Sequence, residues 1–247
     1  TILDSQGKVV SQMSGTENKG INRVYWNFIE QEPREAQEPA QQERGGFFFG
    51  RAGLTALPGT YAVKIKYDNE EVSQNFEVKP DLRFRVDIEV LKANYAMAKE
   101  AQKLSTAVRN AQRQIQNAQK AIQTVREYAR ANRGPKMMEI MKASGELETK
   151  LKNLSEKLNP TPPRQGMADR SAGLSSQVMS AVSGISRAGY EPVGQAAAVR
   201  YEKVKPKLEA FLVEFNSVFE KDVEALKTKL KEAGFSLFEP FQPLKIN

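Results

Sequence analysis

Carboxylates and aromatic rings are the side chains in this sequence best able to do chemistry, because histidine and cysteine are both absent. Their absence removes thiol catalysis, disulfides and thiolate metal sites. It also removes His-based acid–base and zinc chemistry. Glu35, Glu38 and Glu43 are the carboxylates nearest to an acid/base pair, which in glycoside hydrolysis must stand about 5–10 Å apart across a cleft. They fall in a Gln-, Glu- and Pro-rich stretch from Glu30 to Gly46, whose composition predicts a solvated, mobile loop. Asp68-Asn69-Glu70-Glu71 clusters acids at a turn, as a calcium site requires, but the same run makes a hairpin tip. Gly45, Gly46 and Gly50 lack the Lys-Ser/Thr that follows in a phosphate loop. Phe47, Phe48 and Phe49 are the candidate ligand-binding residues. Three consecutive aromatics in a strand cannot all face inward, so at least one needs cover, either from the helical half of the chain or from a ligand such as a sugar. Tyr190 is the other ring available to a platform. No catalytic, metal or cofactor-binding residue is assigned, no cofactor is expected, and no reaction is expected of this chain.

These residues must be positioned by a chain whose hydrophobic period changes once. Over 1–86 the pattern is that of short strands between turns. Ile2-Leu3 and Lys8–Met13 flank a turn at Asp4-Ser5-Gln6-Gly7. Ile21–Phe28 alternates, with Val24, Trp26 and Phe28 on one face, and Trp26, the sole tryptophan, is expected at the centre of a small core. Thr60–Tyr67, a turn at Asp68-Asn69 and a return strand Val72–Val78 form the strongest hairpin signal. Several short strands with intervening turns predict a small antiparallel sandwich. The chain opens directly on a strand at Thr1, so it reads as a piece of a longer protein, with a first strand lying upstream.

After Pro80-Asp81-Leu82-Arg83 the period becomes that of helices. A stretch from about Asp87 to Arg133 carries Ala101, Leu104, Val108, Ala111, Ile115, Ala118, Ile122, Val125 and Ala129 on one stripe. Such a helix needs partners, because its seam is small and only half apolar. A second helix starts near Lys136, after Gly134-Pro135, and runs to Leu158, with Met137, Ile140 or Met141, Ser144, Leu147, Leu151, Leu154 and Leu158 as its seam. A third spans about Met167–Arg187, and a fourth about Gln195–Ala233, capped by Gly234. In the fourth, Pro206 predicts a kink or break, and the seam Ala197, Tyr201, Val204, Leu208, Phe211, Phe215 and Val218 shifts phase before Leu226 and Leu230. The expected fold is α+β and multidomain: a β-sandwich over 1–86, an up-down-up-down four-helix bundle over 87–234, and an apolar tail, 235–247, packing back on the domains. An intermolecular coiled coil is the alternative use of the same heptads.

Charge is uneven. Of 37 Lys+Arg and 30 Asp+Glu, residues 1–86 hold 11 and 12, a net of −1, which leaves 26 and 18, a net of +8, for the helical part. Its lysines are interspersed with Glu and Gln, so a solvated helix face is expected rather than a nucleic-acid site. No apolar run reaches the ~18 residues of a membrane span.

The segments "ILDSQGKVV", "KGINRVYWNF" and "LPGTYAVKIKYDNEEVSQNFEVKPD" with Arg83 resemble a module near the C-termini of large secreted bacterial propeller proteins. These are sortilin-like or sialidase-like and are often labelled glycosyl hydrolase. The module has an Ig-like or fibronectin type III-like fold of the flagellar-hook-cap type, and a helical segment follows it. "DVEALKTKLKEAGF" is similar to that family's terminus. The resemblance implies a bacterial protein that is secreted, periplasmic or on the cell surface. It implies a non-catalytic scaffold or protein-binding role for this region, with partners in its own upstream propeller, another surface protein or a glycan. A carbohydrate-binding accessory of a glycosidase is the alternative. The quoted elements are packing and turn signals. Family active-site residues would lie in the propeller, so none is carried over. Pro80-Asp81-Leu82-Arg83 also departs from the family's Asp-Pro-Arg exit.

Overall fold

The computed structural model describes residues 1–30, 54–131, 134–160, 173–233 and 243. It is mixed α/β, with helices and two small antiparallel sheets. The strands are β1 (Ile2–Leu3), β2 (Val9–Ser11), β3 (Ile29–Glu30), β4 (Leu54–Thr55), β5 (Gly59–Tyr67) and β6 (Glu70–Val78). The helices are α1 (Ile88–Ala131), α2 (Pro135–Leu158), α3 (Leu174–Ser186), α4 (Gln195–Ser217) and α5 (Glu224–Glu232). Two compact units result, 1–99 with 189–192, and 100–188 with 193–247.

In the first unit the sheet order is β2-β1-β5-β6, and β3 pairs with β4. The β1–β2 turn is set by Asp4, whose Oδ1 accepts the Gln6 and Lys8 amides at 2.9 Å each. Gly7 takes the left-handed conformation, φ 77°, that this turn requires. The β5–β6 hairpin pairs without interruption from Gly59↔Val78 to Tyr67↔Glu70 and turns on Asp68-Asn69, with Asp68 at φ 49°. Ile2, Val10, Ala56 and Tyr61 form the buried core, with Met13, Trp26, Val63, Phe76 and Val78 packed against it.

The alternating stretch before β3 is not a strand. Regular pairing there is confined to Ile29–Glu30, and Val24 and Phe28 are about half exposed. Side-chain hydrogen bonds hold this segment in loops: Thr16 Oγ1 donates to Asn22 Oδ1, and Asn22 Nδ2 donates to the Asn18 carbonyl. They offer the backbone an alternative to a ladder.

The hydrophobic period changes at 86/87, yet the first turns of α1 belong to the first unit. Asp87 caps this helix, its Oδ1 accepting the Glu89 amide at 2.9 Å. In the second unit every helix buries a single stripe. Along α1, Ala101, Leu104, Ala111, Ile122 and Val125 are completely buried. The α2 seam is Ile140, Ser144, Leu147, Leu151, Leu154 and Leu158, and Leu174, Val178, Ala181 and Ile185 do the same for α3. Pro135 begins α2 at its first turn, where its missing N–H costs nothing. Pro206 does not break α4. The irregularity lies further on, in a π-helical turn, Val218–Val223, that joins α4 to α5 without a gap. The start expected for the third helix (167–172), Gly234 and all of the tail but Pro243 lie outside the described residues.

Candidate functional site

The candidate site lies in the first unit, where aromatic rings collect at the sheet. Trp26 is the hub, with ring centroids 5.2 Å from Phe28, 5.4 Å from Tyr61 and 6.1 Å from Phe76. Its Nε1 donates to the Ile29 carbonyl at 3.0 Å, which leaves no free polar edge on the ring. Phe28 is held at φ 59°, a conformation that a bulky residue rarely adopts and that costs of order 1–3 kcal/mol. Its ring borders an open crevice lined by Ile2, Trp26, Phe28, Phe76, Glu77, Val78 and Lys79. The crevice is apolar apart from Glu77 and Lys79, which pair with each other at 3.5 Å. It can seat an aliphatic or aromatic group, and its single carboxylate, engaged by Lys79, is not the pair of carboxylates that glycoside hydrolysis needs.

Beside it, the Tyr95 hydroxyl donates to Glu30 Oε2 at 2.6 Å, and the Tyr61 hydroxyl donates to the Leu57 carbonyl at 2.7 Å. Burial pushes the Tyr95 phenol well above its ordinary range, and the hydrogen bond to Glu30 and that carboxylate's charge push it further. Tyr61 is raised mainly by burial, then by Glu30 and Asp4. Both phenols are thus locked neutral and act as donors, which suits ties between elements and not proton transfer.

A second feature of this unit sits where the chain enters α1. The Phe84 and Tyr190 rings lie 5.3 Å apart at 32°, and Asn94 Nδ2 donates to the carbonyls of Gly189 and Glu191 at 3.1 and 2.7 Å. The Arg83 guanidinium stands over Phe84 and is held by Asp81 at 2.6 Å. That pairing holds the Asp81 carboxyl below the usual carboxylate range. Phe84 remains 55% and Tyr190 41% exposed. Each ring covers part of the other, so they form a stack and not the side-by-side platform that a sugar needs.

The second unit carries an open groove between α2 and α4, lined in part by Asn153, Val213 and Ser217 and bridged by Lys150–Asp222 at 2.7 Å. A Lys157–Glu214 pair lies on the same helices. Lys150, Asp222 and Glu214 are thus each engaged in an ion pair.

Phe47, Phe48 and Phe49 lie outside the described residues, as do Glu35, Glu38, Glu43, Gly45, Gly46 and Gly50. Asp68-Asn69-Glu70-Glu71 is at the hairpin tip, where Glu71 bridges to Lys64 at 2.7 Å. Among the described residues no three acidic side chains gather as metal ligands, and no helix is long and apolar enough to cross a membrane. Sequence reasoning placed Trp26 in the core but missed the Tyr95–Glu30 tie and the Phe84–Tyr190 stack. Each joins residues too far apart in the chain for any periodicity to connect them. No protein-family model, curated protein or solved structure matches this chain.

Proposed function

We propose that this chain is a non-catalytic structural and interaction region at the C-terminus of a larger secreted or cell-surface bacterial propeller protein, glycosyl hydrolase-like or sortilin-like. In this reading the first unit is an Ig-like sandwich and the second an up-down-up-down four-helix bundle. The observation that carries it is an apolar sheet face that runs out of its own core. Tyr61 is buried, whereas Ile65 and Tyr67 on the same face of β5 are each 62% exposed and Val72 beside them on β6 is 68% exposed. A contiguous exposed apolar face marks a contact surface. The fixed, neutral tyrosines and the helical seams given over to packing agree with a scaffold. The experiment is mass spectrometry of native material after cross-linking. A parent several times heavier than 27.6 kDa, cross-linked through β5–β6 to its own propeller or to another surface protein, supports the reading. Turnover of glycosides by the isolated chain, abolished by a single carboxylate substitution, overturns it.

A carbohydrate-binding accessory is the second reading; lacking a side-by-side platform, it would use the outward faces of the stacked Phe84 and Tyr190 rings. It predicts glycan-array binding that Tyr190→Ala removes.

A further inference from the structure

β6 is the outer strand of its sheet, with β5 on one side. The direction of its backbone groups follows from β1. The Lys64 amide donates to the Thr1 carbonyl at 2.8 Å, and the Thr1 ammonium donates to the Lys64 carbonyl at 2.9 Å. Lys64 therefore turns its main chain toward β1. In an antiparallel ladder, bonded and unbonded pairs alternate. Lys64 faces Ser73 in the β5–β6 register, so that pair is unbonded. The N–H and C=O groups of Glu71, Ser73, Asn75 and Glu77 consequently point away from β5. Among the described residues no strand meets them.

This edge is long and, apart from its glutamates, carries none of the usual protection of bulge, proline or cover. It runs 9 residues with no bulge and no proline, and only Phe76 and Val78 are partly covered. Its side chains sort onto two faces. Val72 lies opposite exposed Ile65 on one face, and Glu71 and Glu77 mark the other. Glu71 bridges Lys64 at 2.7 Å and Glu77 bridges Lys79 at 3.5 Å, but these are exposed pairs that leave both carboxylates open to a further cation.

We propose that the β6 edge is a strand-addition site for an extended segment of a partner protein, apolar at alternate positions and bearing Lys or Arg opposite Glu71 and Glu77. Main-chain bonds to Glu71, Ser73, Asn75 and Glu77 hold the segment. Its apolar side chains continue the Val72 face, and its cations meet the two glutamates. A second copy of this chain fits worse, because the register that pairs the whole strand with itself sets Glu71 against Glu77 twice. The site gives partner chemistry to the interaction region proposed above and rests on that reading for its biological use. Peptide binding itself is measurable whatever the parent protein proves to be.

The test is fluorescence anisotropy of a labelled Lys-Val-Thr-Val-Thr-Val-Lys peptide titrated with the full chain. Saturable binding is expected, at least about tenfold tighter than for the same peptide with Glu at both ends. Asn75→Pro deletes an outward N–H and leaves the β5 ladder intact. It should weaken binding by at least about tenfold, with the circular dichroism and unfolding midpoint unchanged. Should that variant misfold, Glu71→Lys combined with Glu77→Lys carries the test and should reverse the preference between the two peptides. Absence of saturable binding, or binding that neither variant alters, overturns the proposal. Self-association of the free chain that Asn75→Pro abolishes also overturns it, by assigning the edge to a second copy.

Discussion

At the scale of single residues, the part-buried tyrosines of the first unit work by staying uncharged. Tyr95 donates to Glu30 from a half-buried position. A hydrogen bond to a charged acceptor contributes roughly 1.5–3 kcal/mol when dry, and partial solvation reduces that. Tyr95→Phe should therefore cost about 1–2 kcal/mol in urea unfolding. Its pH dependence has a definite sign. Burial raises the Tyr61, Tyr95 and Tyr201 phenols in the fold. Their contribution is thus fully present below the unfolded value of about 10 and is lost as pH climbs through the raised values. Stability should be insensitive to these groups near neutrality and fall above about pH 10, less steeply in Tyr95→Phe. Ser144 illustrates the opposite case. It is completely buried in the α2 seam, and its hydroxyl has no hydrogen-bond partner. Ser144→Ala removes an unsatisfied group at little change in volume, and thermal unfolding should show a gain of up to about 1 kcal/mol.

At the scale of elements, the α3–α4 crossing and the π turn decide how the helices fit. A Cβ added at Gly184 would sit 3.1 Å from the Ala197 Cβ, so this glycine sets the closeness of α3 and α4. Gly184→Val should destabilise by about 1–3 kcal/mol through overpacking, read as a lower midpoint in denaturant. The fourth seam runs Leu208, Phe211, Phe215, Phe219, Val223, Leu226, Leu230, all buried. Steps of four from Phe215 through Phe219 to Val223 would drift off one face of an α-helix. The wider i→i+5 turn at Val218–Val223 absorbs the extra residue and returns Leu226 and Leu230 to the core. Deleting exposed Glu220 should convert the turn to α-helix and preserve the seam. Deleting exposed Ala210 should rotate every later seam residue out of register. Circular dichroism and melting should show a folded chain in the first variant and a much less stable one in the second.

At the scale of the whole molecule, the two compact units carry separate probes. Trp26 is the only tryptophan and lies in the aromatic core of the first unit, whereas the helices dominate far-ultraviolet circular dichroism. Tyr61→Ala empties the small β core and should cost roughly 3–5 kcal/mol there. Trp26 fluorescence should then report unfolding at lower urea than the helical signal. Coincident transitions would mean that the two units unfold as one. Coincidence would also raise the weight of the shared α1, which contributes residues to both units.

Much of this fold was legible in local patterns. The helices, the seams of α1, α2 and α3, and the β5–β6 hairpin with its Asp68-Asn69 turn all follow from period and turn chemistry, which depend on near neighbours. The phase shift of the last helix was also visible in the sequence, although the π turn that accommodates it was not. Tertiary structure alone decided three things. It turned Val24 and Phe28 half outward, because loop hydrogen bonds through Asn22 outcompeted strand pairing. It tied Tyr95 to Glu30 and Asn94 to the 189–191 carbonyls, across chain separations that no periodicity spans. It also left β6 at the edge of its sheet, because strand order depends on which segments meet in space, and alternation records only which residues share a face.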